Sequence, residues 1–240
     1  MNQAPAPARR LFAPILAGAS LRDRAIACAG ALIGIMLTWL VCARFSAVGT
    51  TLPILIAPIG ASAVLLFAVP ASPLSQPWAV IGGNTVSAII GVAVARLVHQ
   101  PALAVGLAAG GAIFAMSILR CLHAPGGAVA LTAVIGGPAI IGAGPWFAFM
   151  PVAVNSLVLV LAAWLFHRFS GHSYPHRATV PHARADATGP IFHPDAIDRA
   201  LAELGETFDV SREDLDLLLQ RAAIHDRAAR GAGARRRNGS

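Results

Sequence analysis

Between Asp23 and Asp186 the chain carries no acidic residue, and from Ala25 to Phe166 its only charged side chains are Arg44, Arg96 and Arg120. A water-soluble domain cannot clothe its surface with three charges over such a length, whereas helices immersed in lipid need no more. The chain as a whole is 56% hydrophobic and 12% charged, with a mean hydropathy of +0.68. Its formal charge of +7 sits mostly on arginines in the flanks, which suits the anionic surface of a bilayer. A lipid bilayer is therefore an expected partner and nucleic acid is not.

The uncharged stretch divides into six apolar runs. Ala25 to Ala43 is long enough to cross a hydrocarbon core of about 30 Å. Leu52 to Val69 follows, then a connector rich in Pro, Ser and Gln from Pro70 to Pro77, then Trp78 to Leu97 and Ala102 to Leu119. Gly126 to Ala143 is short and punctuated by Gly136-Gly137-Pro138, so it should be broken or partly re-entrant, and Trp146 to Phe166 is the last run. Small residues recur every fourth position in the third run (Ala79, Gly83, Ser87, Gly91, Ala95), and the pairs Gly30/Gly34 and Gly106/Gly110 share the same spacing. These are expected helix-packing faces, within the chain or between copies in a homo-oligomer. Arginines near the ends of the runs favour cytoplasmic termini on both sides of an even number of spans.

Two runs are interrupted by the same short sequence. Ala57-Pro58-Ile59-Gly60-Ala61-Ser62-Ala63 and Ala124-Pro125-Gly126-Gly127-Ala128-Val129-Ala130 both read Ala-Pro-x-Gly-Ala-x-Ala, and a Pro-Trp pair follows each, Pro77-Trp78 and Pro145-Trp146. An internal repeat with three segments per half must place its two copies in opposite orientations across the bilayer. The fold class expected is all-α: a polytopic membrane protein of about six segments in two inverted three-segment repeats, with short cytoplasmic amphipathic helices at the carboxyl end.

Helix starts carry roughly half a positive charge and attract small anions. Two opposed starts would make an anion site without a charged side chain, and the residues placed there are Pro58, Gly60, Ala61, Ser62, Pro125, Gly126, Gly127 and Ala128. The glycines could equally serve close packing. Asn84 and Asn155 follow the two Pro-Trp pairs, and an amide in hydrocarbon needs a partner, either another helix or a solute. His123 abuts the second break and could donate to an anion or titrate near neutral pH. Cys28, Cys42 and Cys121 have no ligand-like spacing and read as small packing residues. The run region holds no acid/base pair, no nucleophile with its base and no metal cluster, so no enzyme, metal or other cofactor is expected.

Beyond the runs, residues 169–192 form a linker whose His172, His176 and His182 read as solvated, and 193–240 form a tail. Pro194-Asp195 opens a helix with Ile197, Leu201 and Leu204 on one face and Gly205 as its stop; a second begins at Ser211 with Asp214 three residues on. Each has one apolar face and should pack on its partner, on the membrane part or on a second protomer. The arginine-rich end from Arg235 is expected to be disordered or to rest on lipid. The organisation is thus a lead-in (1–24), a membrane domain (25–168), a linker and a tail.

His123-Ala124-Pro125-Gly126-Gly127-Ala128, together with Pro58 to Phe67, Gln76-Pro77-Trp78 and Ile81-Gly82-Gly83-Asn84, resembles the HPP family of integral membrane proteins, named for a His-Pro-Pro motif whose middle residue is here Ala124. The likeness runs from about Arg22 to Arg168. The segment Glu206 to Leu215 is similar to the one that precedes paired CBS domains in longer members. Some members are associated with nitrite transport, which implies a transporter or channel for a small anion in the inner (plasma) membrane. The competing reading is a non-transporting scaffold or sensor whose tail binds a soluble partner.

Overall fold

The computed structural model describes residues 20–45, 52–177, 194–204 and 209–237. Among them the secondary structure is entirely helical: α1 Leu21–Phe45, α2 Pro58–Ala68, α3 Pro77–Leu97, α4 Pro101–Ile118, α5 Ala124–Ile135, α6 Pro138–Ala143, α7 Val154–Ser170, α8 Pro194–Leu204 and α9 Arg212–Arg237. A 3₁₀ turn at Pro73–Ser75 precedes α3, and a π-helical segment at Ala148–Ala153 leads into α7. Four helices are long and apolar enough to cross a membrane: α1, α3, α4 and α7 with its π segment; α2 and α5 are shorter apolar helices. The protein is a membrane-embedded helical bundle.

Its cross-section is that of a protein dissolved in lipid. Leu32, Met36 and Trp39 of α1, Leu103, Ile113 and Phe114 of α4, and Leu161 and Leu165 of α7 face outward, while Ala88, Ala108, Ala112 and Ala163 are buried. Lipid already satisfies large apolar side chains, so small residues that let backbones approach sit inside, beside the larger Ile59, Leu66, Phe147 and Leu159. The fourth-residue stripe of α3 is packed against α5 and against the chain just before it. A Cβ on Gly83 would lie 2.6 Å from the carbonyl of Cys121, and one on Gly91 would lie 2.5 Å from the carbonyl of Ala130. Gly30 and Gly34 of α1 receive the Phe67 ring of α2, again at 2.5 Å from a notional Cβ. The pair Gly106/Gly110 behaves differently: a Cβ there meets nothing within 4 Å, and α4 turns Ala104, Ala108, Ala112 and Met116 inward.

Helix directions follow from these contacts. α2 runs back along α1, so that Arg24 Nη1 donates to the Ala68 carbonyl (3.5 Å) and His167 Nε2, near the end of α7, donates to the Leu66 carbonyl (2.9 Å). At the other end of α2 the extended approach is held by Asn155: Ile56 N–H donates to Asn155 Oδ1 (3.1 Å), and Asn155 Nδ2 donates to the Ile54 carbonyl (2.9 Å) and to Cys42 Sγ (3.1 Å). α3 sets off from the end where α7 finishes, with Trp78 Nε1 donating to the Leu119 carbonyl at the close of α4 (3.1 Å). α5 starts beside Gly83 and proceeds past Gly91, parallel to α3 and opposite to α2. The last run is not one uninterrupted helix: Met150 is extended (φ −131°, ψ 111°) ahead of Pro151, which cannot donate into the ladder, and α7 proper begins only at Val154. Gly171, at φ +81°, ends it in the left-handed conformation common at helix carboxyl ends.

The chain after α7 does not leave the bundle at once. Tyr174 is buried and donates to the Ser75 carbonyl (3.0 Å), and burial raises its phenol above the ordinary range. His176 N–H donates to Gln76 Oε1 (3.0 Å), and His176 Nε2 meets Asp214 Oδ1 at 2.9 Å. His176 is therefore a half-buried docking residue rather than part of a solvated linker; His182 lies outside the described residues. Ser211 and Asp214 cap α9 as their spacing suggests, with Asp214 N–H donating to Ser211 Oγ (3.1 Å). Burial alone would raise the Asp214 carboxyl, but hydrogen bonds from His176 and Ser211 outweigh it and hold the group below its usual value. Asp209 accepts from Ser72 Oγ (2.7 Å), so the start of the second tail helix is docked on the connector before α3. Arg212 joins α9 to Asp198 of α8 through Nε (2.8 Å) and Nη2 (3.1 Å). α9 continues to Arg237, well into the arginine-rich end expected to be disordered, while Gly205, the expected stop of α8, is outside the described residues.

Candidate functional site

The two sequence breaks meet in the middle of the bundle. Each is a helix start made by proline, Pro58 at the head of α2 and Pro125 at the head of α5, and both prolines are buried. Ser62, one turn into α2, approaches His123, the residue that caps α5: Oγ to Nε2 is 2.8 Å. The second ring nitrogen, Nδ1, lies 2.8 Å from the Leu74 carbonyl. A carbonyl only accepts, so Nδ1 carries the proton; in the neutral ring Nε2 then accepts from the Ser62 hydroxyl. Ser62 Oγ in turn accepts from Asn84 Nδ2 at 3.3 Å, and the same amide nitrogen donates to Ser156 Oγ at 3.0 Å. Ser62, Asn84, His123 and Ser156 are all fully buried. One polar line therefore joins the connector, α5, α2, α3 and α7.

Asn84 Oδ1 is the end of that line. It is the one buried side-chain nitrogen or oxygen among the described residues with no hydrogen-bond partner. An acceptor left in this condition costs about 1–3 kcal/mol.

The glycines of the repeat divide by role. A Cβ on Gly126 would lie 2.7 Å from Ser87 Oγ and 2.8 Å from Met116 Sδ, so Gly126 is there for packing. Gly60 and Gly127 would meet nothing within 4 Å. Ala61, Ala124 and Ala128 beside them are exposed, so small residues lie on the open side of each helix start. The amide donors there are not all free: Gly60 N–H donates to the Ala57 carbonyl (3.0 Å), Ile59 N–H to the Ile56 carbonyl (3.1 Å) and Gly126 N–H to the His123 carbonyl (2.9 Å). What these helix starts offer a solute is mainly their positive field rather than a row of bare donors.

Of the residues singled out from sequence, Pro58, Gly60, Ala61, Ser62, Asn84, His123, Pro125, Gly126, Gly127 and Ala128 are gathered around this point. Asn155 stands apart, holding the approach to α2 through Ile54 and Ile56, though its neighbour Ser156 belongs to the polar line. Sequence reasoning missed Ser156 and Leu74. Ser156 had a local signal, a second polar residue beside Asn155 in an otherwise apolar run; a backbone carbonyl such as that of Leu74 has none. Among the described residues no three His, Cys, Asp or Glu side chains come together as metal ligands would.

Comparison with curated proteins and with solved structures returned no match. The family model for the HPP transmembrane region matches residues 17–175, which includes every helix from α1 to α7 and the whole of the polar line. The chain belongs to the HPP transmembrane family.

Proposed function

We propose that the protein is a transporter or channel that passes a small anion across the inner membrane along the seam between α2 and α5, with nitrite one candidate. The observation that carries this reading is the 2.8 Å hydrogen bond from Ser62 to His123, which joins the two helix breaks inside a bundle with no carboxylate between Asp23 and Asp186. Backbone interrupted at membrane depth is tolerated where it lines a passage or is buried in protein, and the open positions Gly60 and Gly127 lie at such interruptions.

In this reading all six runs cross the bilayer, α2 and α5 as half-helices, in two inverted halves (α1–α3 and α4–α7) with both termini cytoplasmic. Part of the helix packing supports that exchange: α1 against α2 has its counterpart in α4 against α5, and α1 against α7 in α3 against α4, whereas the most extensive packing, α3 against α5, has only a small counterpart in α2 against α7. Fixed helix-end charges cannot be switched off, which suits a channel or uniporter. His123 is the group able to add positive charge beside the seam, and protonation would require the Ser62 hydroxyl to turn away, toward the Pro58 carbonyl 3.4 Å distant.

The test is uptake of chloride, nitrate, nitrite and bicarbonate into proteoliposomes between about pH 5 and 8, in wild type and His123→Gln. Faster anion flux at lower pH that is lost in the variant is the expected result. The same pH profile in both would remove His123 from any titrating role, and no flux of any anion would remove the transport reading. In that case the docking of the tail on the connector, through Ser72–Asp209 and His176–Asp214, favours a scaffold or sensor.

A further inference from the structure

Asn84 brings together three facts that the anion reading leaves unused. Its side chain is fully buried where α2, α3 and α7 meet, its amide nitrogen already serves both Ser62 and Ser156, and its oxygen has no partner. Turning the amide over does not help. The Ser62 proton is committed to His123 because His123 Nδ1 is committed to the Leu74 carbonyl, so a reversed Asn84 would set its oxygen against a hydroxyl with no hydrogen to give. The Asn84 orientation that donates to both serines leaves one acceptor over, two hydrogen bonds from the start of α5.

That acceptor calls for a donor from outside the protein. A cation is disfavoured: the nearest helix ends are the positive ends of α2 and α5, and no carboxylate lies between Asp23 and Asp186. Chloride, nitrate and nitrite bring no hydrogen. An oxyanion that keeps one hydroxyl near neutral pH brings both the negative charge the helix starts attract and the hydrogen that Asn84 Oδ1 lacks.

We propose that the solute taken at this point is a hydroxyl-bearing oxyanion of the bicarbonate or dihydrogen-phosphate type, recognised through its O–H by Asn84. The proposal rests on the anion-transport reading and narrows it. A hydrogen bond to a charged solute is worth about a tenfold or greater preference, so bicarbonate or dihydrogen phosphate should enter proteoliposomes at least about ten times faster than nitrate, nitrite or chloride. Asn84→Leu should abolish that ratio, and Asn84→Gln, which keeps the amide, should recover part of it. The wild-type panel stands even if Asn84→Leu fails to fold. If nitrate and nitrite move as fast as the hydroxyl-bearing ions, this inference is wrong and the anion reading survives, with Asn84 Oδ1 occupied by water. If no anion moves, both are wrong. An Asn84→Leu protein that folds and slows all anions equally would make Asn84 a structural residue and overturn the proposal.

Discussion

Substituting Gly91 by alanine tests the seating of α5 on α3, and with it the geometry of the polar line. The added Cβ would lie 2.5 Å from the carbonyl of Ala130, 2.8 Å from the Ala133 Cβ and 2.9 Å from the Ala130 Cα. Two of these three atoms are backbone, so no side-chain rotation relieves the clash, and α5 must retreat by about 0.9 Å to reach ordinary contact at 3.4 Å. Overpacking of this kind costs about 1–3 kcal/mol. His123 caps α5, and its 2.8 Å bonds to Ser62 and Leu74 cannot both survive a shift of that size, which adds about 1 kcal/mol. Alanine's better helix propensity returns less than about 1 kcal/mol, leaving a net loss of about 1–3 kcal/mol. The matched control is Gly106→Ala, whose Cβ meets nothing within 4 Å and which should be neutral or stabilising by up to about 1 kcal/mol. Both are read by equilibrium unfolding in mixed micelles. Equal stability of the two variants would mean that α5 is not held against α3 as described.

Four further outcomes are expected. Asn155→Leu strands the Ile56 N–H and the Ile54 carbonyl and should cost about 1–3 kcal/mol in the same unfolding assay, with Asn155→Ala no better; an unchanged midpoint would show that the approach to α2 is held by other means. Tyr174→Phe removes the bond to the Ser75 carbonyl and should lower stability by about 1 kcal/mol, whereas substitution of exposed Phe169 by leucine should not. Ending the chain at Arg184, or changing Asp209 to Ala, should loosen the connector that carries Leu74 and speed solvent exchange of the His123 Nδ1 proton in NMR; identical exchange in the full-length protein would refute the coupling. Asp198 should titrate below the ordinary carboxylate value because Arg212 donates to it, so its contribution to α8–α9 pairing is present above about pH 4 and lost as pH falls through the lowered value; in Arg212→Gln the carboxyl titration should move back up.

The boundaries of the bundle were legible because they are local: charge-free runs, Pro-Gly interruptions and Gly137 are read from neighbouring residues. The meeting of Ser62 with His123, 61 residues apart, was legible only through the repeat, which marks both positions without giving the contact. Spacing failed where one pattern serves two environments. Gly91 and Gly106 both belong to fourth-residue small stripes, yet one is pressed against α5 and the other faces outward, and the difference lies in what the fold places opposite. His176 looked like one polar residue among many in a Pro-rich stretch; its partners Gln76 and Asp214 are 100 and 38 residues away. Pro151 was passed over because the apolar run continues on both sides of it.

Prolines stand at or next to the first position of α2, α3, α4, α5 and α6, and of the 3₁₀ turn as well. A helix that begins in water can leave its first amides to the solvent; one that begins in hydrocarbon has nowhere to put them. These helices omit one of the groups that would have to be satisfied. At the head of α2 the omission has a second effect, since the aligned peptides behind Pro58 still sum to a positive end while the foremost hydrogen is absent; α5 keeps the Ala124 N–H one place ahead of Pro125. If an anion passes here as proposed, the head of α2 would draw it in more strongly than it grips it, and Pro58→Ala would restore a clasp, trading rapid passage for residence.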